Sequence, residues 1–400
     1  MQKFDVWAAR CHLDEDWEFI SYVLRNGLAV VHPDCRPEPN VFNNYPVHCP
    51  VLASLANTAI ADEIREGLVA EPAEGLLDQC IWQHPLSVVP KSGGKARVVH
   101  DFSAPEGGCL NDRIDFLKTR LPQHDAVFAA LKPGMYMAKL DLRAFFRHVP
   151  LDPADWCLVG FSWNGRKLVD TRLNFGQRNA PEVSDRFGQV IERYLRENLN
   201  GIPCQGIFRV SDDWLLLATR LLDCEMLWQL AITTLEEFGF VVNRLPEKSI
   251  PPCQRIIWCG LEYDSVEMTV RLPSEKVEKA LELVRHFRVA ATATRTELDS
   301  LFGYLSFCAS VVFGGRAFLH GLRAVRYRSD GTTRPSLWRF SIDDEMRLDM
   351  AWWDEYLVNH NGDIRIPIVA MTETAPRHKG SIDTRGGEGG LGSFVEGAFV

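Results

Sequence analysis

The middle of the chain alternates between short apolar segments and polar turns. Apolar residues recur at every second position or in unbroken runs, and Gly, Pro, Asn and Asp separate the segments. This pattern is typical of β-strands joined by tight turns. We predict strands at Leu86–Pro90, Ala96–Phe102, Met135–Asp141, Cys157–Trp163 and Lys167–Leu173. Two apolar runs flank Ser211-Asp212-Asp213, and Ile256–Tyr263 with Met268–Leu272 predicts another hairpin.

Helical periodicity, with apolar residues three and four positions apart, surrounds the strand-rich region. The predicted helices are Leu52–Val69, His124–Leu131, Pro181–Asn198, Cys224–Phe238, Ser274–His286, a helix from Thr294 or Thr296 to Ala309, Gly314–Arg328 and Ile342–Leu357. Pro181 suits the first turn of its helix and Ser274 suits an N-cap. The chain after Pro273 is therefore predicted to be mainly helical.

The composition is that of a folded globular protein. Hydrophobic residues make up 46% of the 400 positions and charged residues 24%, which excludes global disorder. No apolar stretch approaches the roughly 18 residues of a membrane span, and the N-terminal residues carry no secretory signal pattern. Eleven cysteines include no Cys-x-x-Cys pair, which favours free thiols. We expect an intracellular protein, cytoplasmic or nuclear, that does not enter membranes.

The net charge of −9 is unevenly distributed. Residues 1–80 contain five Lys or Arg against thirteen Asp or Glu, so most of the acidity lies there. Residues 271–328 contain ten Lys or Arg against five Asp or Glu. A basic segment within an acidic chain is compatible with phosphate binding.

Two adjacent aspartates, Asp212 and Asp213, lie between apolar runs that predict a buried hairpin. Like charges repel, and a partly buried carboxylate is poorly hydrated, so a divalent cation would offset the cost of the pair. The alternative is a polar turn in which Asp is favoured by turn geometry alone.

A third carboxylate, Asp141, lies at the end of an apolar strand upstream of the pair. A strand-end carboxylate and an acidic hairpin could together hold two Mg²⁺ ions about 4 Å apart, the arrangement used for in-line phosphoryl transfer. An isolated strand-end Asp is otherwise a common turn residue, so the motifs around it decide between these interpretations.

A series of motifs in a fixed order makes the chain resemble the reverse transcriptases of retroelements. The resemblance is closest to the enzymes of DIRS-type (tyrosine-recombinase) retrotransposons. The similar stretch runs from about Trp82 to Arg326. Its segments are HPLSVVPK, GKARVVHDFSAP and LND, then AKLDLRAFFRHVPL, LNFGQRNAPEVSDRF, VSDDWLLL, LPEKS, IIWCGLEYD and TRTELDSLFGYLSFCASVVFGGRAFL. The ordered series is far more specific than any one segment.

The resemblance implies an α+β right-hand polymerase fold. Fingers and palm would span 81–272, with an antiparallel palm sheet, and a helical thumb would span 273–328. An acidic extension over 1–80, a connection over 329–375 and a truncated RNase H-like start over 376–400 complete the predicted organisation.

The resemblance also assigns roles to single residues. The implied catalytic residues are Asp141, Asp212, Asp213 and Lys248, and the implied substrate-binding residues are Lys91, Arg97, Phe146, Phe175 and Gly176. The three aspartates would hold two Mg²⁺ ions, with Mn²⁺ as an alternative. Lys91 and Arg97 would bind the triphosphate, and Phe146 would exclude a ribose 2′-OH. Lys248 would protonate the departing pyrophosphate.

The C-terminal segment resembles the opening of an RNase H domain, with Asp383 at the position of that domain's first metal carboxylate. The other acidic residues of such a domain are not present, so RNase H activity is not expected. A glycine-rich tail is the alternative interpretation of this segment.

The implied activity is that of an RNA-directed DNA polymerase, with an RNA template, a DNA primer or duplex and dNTPs as partners. Two positions depart from the family pattern: Val210 stands where Tyr is usual, and Asn174 stands where Pro is usual. These departures leave open a decayed, catalytically weak remnant that only binds nucleic acid. A viral-type RNA-dependent RNA polymerase is the third hypothesis, and Phe146 argues against it.

Overall fold

The structure is a computed structural model that describes residues 15–36, 40–72, 82–91, 93–115, 124–325 and 339–361. All of them belong to the first of two units, Met1–Pro367. The second unit, Ile368–Val400, lies outside the described residues, and so does the RNase H-like start predicted over 376–400 with Asp383.

Seven of the nine described α-helices begin and end close to the predicted positions, whereas Glu15–Asn26 was not predicted and His320–Val325 is only part of the helix predicted over Gly314–Arg328. The described α-helices are α1 (Glu15–Asn26), α2 (Pro50–Arg65), α3 (His124–Ala130), α4 (Ala180–Glu197), α5 (Leu221–Glu237), α6 (Ser274–Val289), α7 (Arg295–Cys308), α8 (His320–Val325) and α9 (Asp344–His360). Thr294, one of the two predicted starts, caps α7 by accepting from the backbone N–H of Glu297. None of these described helices is long and apolar enough to cross a membrane.

The strands form several small antiparallel sheets. They are β1 (Val69–Ala70), β2 (Leu86–Lys91), β3 (Lys95–His100), β4 (Tyr136–Asp141), β5 (Gly160–Trp163), β6 (Arg166–Asp170), β7 (Gly206–Val210), β8 (Asp213–Ala218), β9 (Ile250–Cys253), β10 (Arg255–Trp258), β11 (Leu261–Asp264), β12 (Thr269–Arg271), β13 (Thr292–Thr294) and β14 (Arg339–Ser341). The orders are β7-β8-β4-β9, β1-β6-β5, β10-β11-β12, β2-β3 and β13-β14.

The four-stranded sheet β7-β8-β4-β9 separates two hydrophobic cores. Successive side chains of a strand point to opposite faces, and in β8 the residues Trp214 and Leu216 enter the first core while Leu215 and Leu217 enter the second. This two-sided burial explains the unbroken apolar run of β8. Helices α4 and α5 cover the first face, and the sheet β10-β11-β12 with the helices after it covers the second.

The described part of the predicted acidic extension is packed into the same unit. Trp17, Ile20 and Val23 of α1 are buried in the first core. Strand β1 pairs with β6, with Val69 opposite Asp170. The acidic residues of this segment therefore belong to elements that contribute apolar side chains to the core.

Two strand predictions were wrong in extent. Cys157 belongs to a 3₁₀ helix, Pro153–Leu158, and only the later part of the predicted strand Cys157–Trp163 is extended. Asp152 caps that 3₁₀ helix by accepting from the backbone N–H of Ala154, so the local polar contact overrides the apolar run.

The segment Ile256–Tyr263 is two strands rather than one. Cys259 and Gly260 both have positive φ, 48° and 79°, and they form the turn between β10 and β11. The result is a three-stranded meander instead of the predicted hairpin. The helix predicted over Gly314–Arg328 is likewise broken at Phe318, where a 3₁₀ helix meets α8.

Candidate active site

The three aspartates predicted as metal ligands lie at the adjacent ends of β4 and β8 and in the turn before β8. Asp141 ends β4 and Asp213 begins β8, and the two are directly opposite in the antiparallel register. Opposed residues project to the same face of a sheet, which here is the face of the second core. Asp212 lies in the tight turn between β7 and β8, after Ser211 at φ 54°, and its carbonyl accepts from the backbone N–H of Leu142 at 2.9 Å.

Two lysines contact these carboxylates. Lys248 Nζ lies 3.2 Å from Asp141 Oδ2, and Lys139 Nζ lies 3.2 Å from Asp213 Oδ2. Asn243 Nδ2 donates to the other oxygen of Asp141 at 2.9 Å. The ion pairs partly offset the negative charge of the two carboxylates. They also place both lysines beside the predicted metal ligands.

Burial makes the charged forms of two of the aspartates costly. Desolvation raises the pKa of Asp213 to about 6, against the lowering effect of Lys139 and with further raising by the carboxylates of Asp141 and Asp212. Desolvation also raises the pKa of Asp212, and the charge of Asp141 adds to it. Additional positive charge at this position would stabilise the ionised forms.

The donor set suits a hard divalent cation, although the side chains are not gathered around one point. Carboxylate oxygens are the ligands that Mg²⁺ and Mn²⁺ prefer, and Asp213 Oδ1 is buried with no hydrogen-bond partner among the described residues. Within the described ranges, however, no group of three or more His, Cys, Asp or Glu side chains is placed to hold a metal. Lys139 and Lys248 occupy oxygens of two of the three aspartates, so cation binding would have to displace these contacts.

Basic residues of the hairpin β2–β3 face the same region. Lys91 is opposite Lys95, and Arg97 is opposite Val89 two positions away, so the three cations share one face of the hairpin. Reduced hydration lowers the pKa of Lys91, and the positive charges of Arg97, Lys95 and Lys248 lower it further. The hairpin thus brings three cations together with Lys248 nearby, as a polyanionic ligand requires.

The two predicted substrate-binding aromatic residues contact each other. Phe146 is half-buried in the 3₁₀ helix Phe145–His148, and its ring meets that of Phe175 edge-to-face with centroids 5.0 Å apart. Phe175 is 48% exposed. Phe145, by contrast, is 3% exposed and packs against Phe240 in the first core. The adjacent phenylalanines therefore separate into one core residue and one residue that borders the surface.

The loop after β6 is held close to β3 by a glycine. Gly176 has φ 96°, and a Cβ there would lie 2.9 Å from the carbonyl oxygen of His100. A larger residue would be strained and would push the loop away. Gly176 thus fixes the backbone beside Phe175.

Each position that departs from the family pattern has a defined environment. Val210 is opposite Asp213 and packs against the second core. Asn174 is 5% exposed, and its side chain donates to Asp170 at 2.7 Å and accepts from the backbone N–H of Phe175 at 2.8 Å. Asn174 is therefore an integrated part of the structure rather than a tolerated surface change.

The basic segment 271–328 is less available for phosphate than its composition indicates. Arg285 and Arg288 of α6 both pair with Asp354 of α9, at 2.7 and 2.9 Å. The same helix also presents an acidic surface cleft, with a volume of about 480 Å³, lined by Glu275, Glu278, Lys279, Glu282, Leu283 and His286. A single carboxylate offsets at most one of these two positive charges, and both arginine side chains remain exposed, so a net positive charge stays on this pair of arginines.

Sequence reasoning missed Lys139, Asn243 and Asp170. Lys139 precedes Asp141 by two positions on the same strand, so strand periodicity alone would have put it on the same face. Asn243 carried no comparable signal, because its partner Asp141 lies 102 positions away along the chain. Asp170 lies only four positions from Asn174, but its contact with Arg147 spans 23 positions.

No family model matches the chain. The curated proteins to which the chain is similar include three Pol polyproteins. The Retrovirus-related Pol polyprotein from transposon opus of Drosophila melanogaster is 26% identical over 141 residues, which cover 35% of this chain and 13% of that protein. The Pro-Pol polyprotein of Simian foamy virus type 1 is 25% identical over 145 residues, which cover 36% of this chain and 12% of that protein. The Pro-Pol polyprotein of Feline foamy virus is 23% identical over 279 residues, which cover 70% of this chain and 22% of that protein. The chain spans less than a quarter of the length of each.

Solved structures of the foamy viral protease-reverse transcriptase share the fold. The form called dRH, in complex with double-stranded DNA, gives a TM-score of 0.62 at 18% identity, covering 90% of this chain and 60% of that one. A second complex with double-stranded DNA gives a TM-score of 0.60 at 19% identity and covers 90% of this chain and 72% of that one. A complex with an RNA/DNA hybrid gives a TM-score of 0.61 at 17% identity and covers 90% of this chain and 46% of that one. At this identity the similarity establishes the fold, and the predicted α+β polymerase fold is confirmed.

Proposed function

We propose that the chain is an RNA-directed DNA polymerase of a retroelement, with DIRS-type elements as its nearest group and with the fingers, palm, thumb and connection divided as the sequence motifs indicate. The observation that carries the proposal is the opposed pair Asp141 and Asp213 at the ends of two central strands, with Lys248 against Asp141. The similarity to Pol polyproteins and to foamy viral structures supports the same activity.

The proposed reaction joins a primer 3′-OH to the α-phosphorus of a dNTP. The 3′-OH loses its proton to water as the new P–O bond forms, the bond from the α-phosphorus to the bridging oxygen of the β-phosphate breaks, and the departing pyrophosphate takes a proton from a general acid. Asp141, Asp212 and Asp213 would hold the divalent cations, Mg²⁺ or Mn²⁺, which when bound lower the pKa of the attacking hydroxyl. Lys248 holds a proton at Nζ beside Asp141, where it can serve the leaving group.

The proposed partners are an RNA template, a DNA primer or duplex and dNTPs. The cations on the β2–β3 hairpin suit the triphosphate, because phosphate oxygens bind Lys and Arg through charge-assisted hydrogen bonds. Two of the structural neighbours are bound to double-stranded DNA and one to an RNA/DNA hybrid. We propose an intracellular site of action, in the cytoplasm or the nucleus.

A primer-extension assay tests the proposal directly. Purified protein should extend a DNA primer on an RNA template with dNTPs in the presence of Mg²⁺, and EDTA should stop the extension. Extension with rNTPs at rates equal to dNTPs would instead indicate an RNA polymerase. No extension on any template with either nucleotide set would contradict polymerase function.

The second candidate function is a catalytically weak remnant that only binds nucleic acid. The ion pair between Lys139 and Asp213 favours it, because the lysine already offsets the charge of a carboxylate that a metal cation would need. Under this hypothesis the protein binds an RNA/DNA duplex but extends no primer. Val210→Tyr and Lys139→Gln, tested singly in the same assay, would indicate which change removed the activity.

Replacing Lys91 or Arg97, the two basic residues of the β2–β3 hairpin that we propose bind the triphosphate, should weaken nucleotide binding without unfolding the protein. We expect Lys91→Ala and Arg97→Ala each to raise the KM for dNTPs about 10- to 100-fold, since a charge-assisted hydrogen bond contributes about 1.5–3 kcal/mol. Lys167→Ala is the matched control, because Lys167 is an exposed lysine on β6. A KM that changes equally in the control would exclude a specific triphosphate contact.

A further inference from the structure

The aromatic pair Phe146 and Phe175 is carried by two separate segments. Phe146 belongs to the 3₁₀ helix that follows β4, and Phe175 belongs to the loop that follows β6. Their rings meet at 5.0 Å, so the width of the gap they border depends on how the two segments are held relative to each other.

One buried carboxylate connects both segments. Asp170, the last residue of β6, is 0% exposed. Its Oδ1 accepts from Arg147 Nη1 at 2.6 Å, and its Oδ2 accepts from Asn174 Nδ2 at 2.7 Å. Arg147 directly follows Phe146, and Asn174 directly precedes Phe175. Each oxygen of Asp170 therefore fixes the neighbour of one aromatic residue.

Further hydrogen bonds hold the side chains of Arg147 and Asn174 in place. The other terminal nitrogen of Arg147 donates to Glu63 Oε2 of α2 at 2.8 Å, which prevents rotation of the guanidinium. Asn174 Oδ1 accepts from the backbone N–H of Phe175 at 2.8 Å, and Gln177 Oε1 accepts from the backbone N–H of Asn174 at 2.8 Å. Removing one partner from such a buried network leaves the others unsatisfied, so it has one preferred arrangement.

We propose that Asp170 is a positioning residue that sets the separation of Phe146 and Phe175 through Arg147 and Asn174, and thereby sets the discrimination between deoxyribo- and ribonucleotides. This inference rests on the proposed polymerase function. It also gives a physical reason for Asn174: the asparagine supplies both a donor for Asp170 and an acceptor for Phe175, and proline at this position would supply neither.

Exchanging the side chains of Asp170 and Asn174 distinguishes a role in positioning Phe175 from a general contribution to stability. Asn174→Asp places two carboxylates against each other and should move the loop that carries Phe175. The double variant Asp170→Asn with Asn174→Asp restores the pattern, because the new amide can donate to the new carboxylate, which still accepts from Phe175. We expect the ratio of kcat/KM for dNTPs to that for rNTPs to fall about tenfold in Asn174→Asp and to return to within about threefold in the double variant.

Asn174→Ala provides the simpler variant and Asn198→Ala its control. Asn198→Ala loses one side-chain hydrogen bond, to the carbonyl of Tyr194 at the end of α4, whereas Asn174→Ala loses two, to Asp170 and from the backbone N–H of Phe175. We expect both variants to lose melting temperature, Asn174→Ala more than the control, with the nucleotide ratio falling only in Asn174→Ala. An unchanged ratio in Asn174→Ala, with an active wild type, would overturn the role in selectivity.

Crystal structures of the wild type and Asn174→Ala provide a measurement that needs no activity. We expect the ring contact of Phe146 and Phe175 to be lost in the variant, and a retained contact would overturn the positioning role whatever the kinetics. A wild type that incorporates no nucleotide contradicts the proposed function and with it the role in selectivity. The ring contact then still decides whether Asn174 positions Phe175.

Discussion

Asp213→Asn is expected to reduce nucleotide incorporation by a factor on the order of 10³ or more. Asp213 is opposite Asp141, and its Oδ1 is buried without a hydrogen-bond partner among the described residues. An amide cannot supply the negative charge that divalent cations require. Because burial already makes the ionised Asp213 costly, the neutral replacement should leave the protein folded.

Metal binding provides the second measurement for this variant. We expect Mg²⁺ to raise the melting temperature of the wild type and to raise that of Asp213→Asn much less. Asp212→Asn should behave in the same way, whereas Asp344→Asn, at an exposed position in the first turn of α9, should resemble the wild type. Wild-type incorporation by Asp213→Asn would exclude its role as a metal ligand.

Phe146→Val is expected to lower the discrimination between dNTPs and rNTPs by a factor on the order of 10². The ring is half-buried and borders the exposed Phe175, so its truncation opens space beside Phe175, where we propose that the nucleotide sugar binds. The smaller side chain leaves room for a 2′-oxygen, and incorporation of rNTPs should rise relative to dNTPs. Primer extension with each nucleotide set measures the ratio.

Phe145→Val is the matched control for this prediction. Phe145 is 3% exposed in the first core, so its truncation should cost up to about 3 kcal/mol of unfolding free energy and lower both activities together. If Phe146→Val instead produced this second pattern, a core role for Phe146 would replace the sugar-selecting role.

The local pattern of the sequence was sufficient for most of the elements. The apolar run after Asp213 predicted a buried strand, and it forms β8 with both faces covered. The periodicity of Pro181–Asn198 predicted the helix observed as α4. Polarity at strand ends marked Asp141 and Asp213 as candidates, because a carboxylate beside a buried strand is costly, and the ordered motifs around them gave the predicted role as metal ligands.

Predictions failed where a short apolar run was interrupted by backbone geometry. Cys259 and Gly260 adopt positive φ within a segment that is apolar on both sides, and hydrophobic pattern alone cannot indicate this. The same applies to Cys157, where a capped 3₁₀ helix replaces the start of a strand. In both cases a local turn, not side-chain burial, determines the conformation.

The sequence by itself therefore determined the elements, the polymerase motifs and the identity of the candidate carboxylates, because these depend on neighbours along the chain. Only the tertiary structure decided which side chains pair. Arg285 and Arg288 count as basic residues in the sequence, but Asp354 on another helix pairs with both and offsets one of their two charges. Asp170 has no distinguishing local pattern, yet folding buries it between Arg147 and Asn174. The contact of Asp170 with Arg147 spans 23 positions, and those of Arg285 and Arg288 with Asp354 span 69 and 66. The strength of all these pairs depends on burial, which no local pattern specifies.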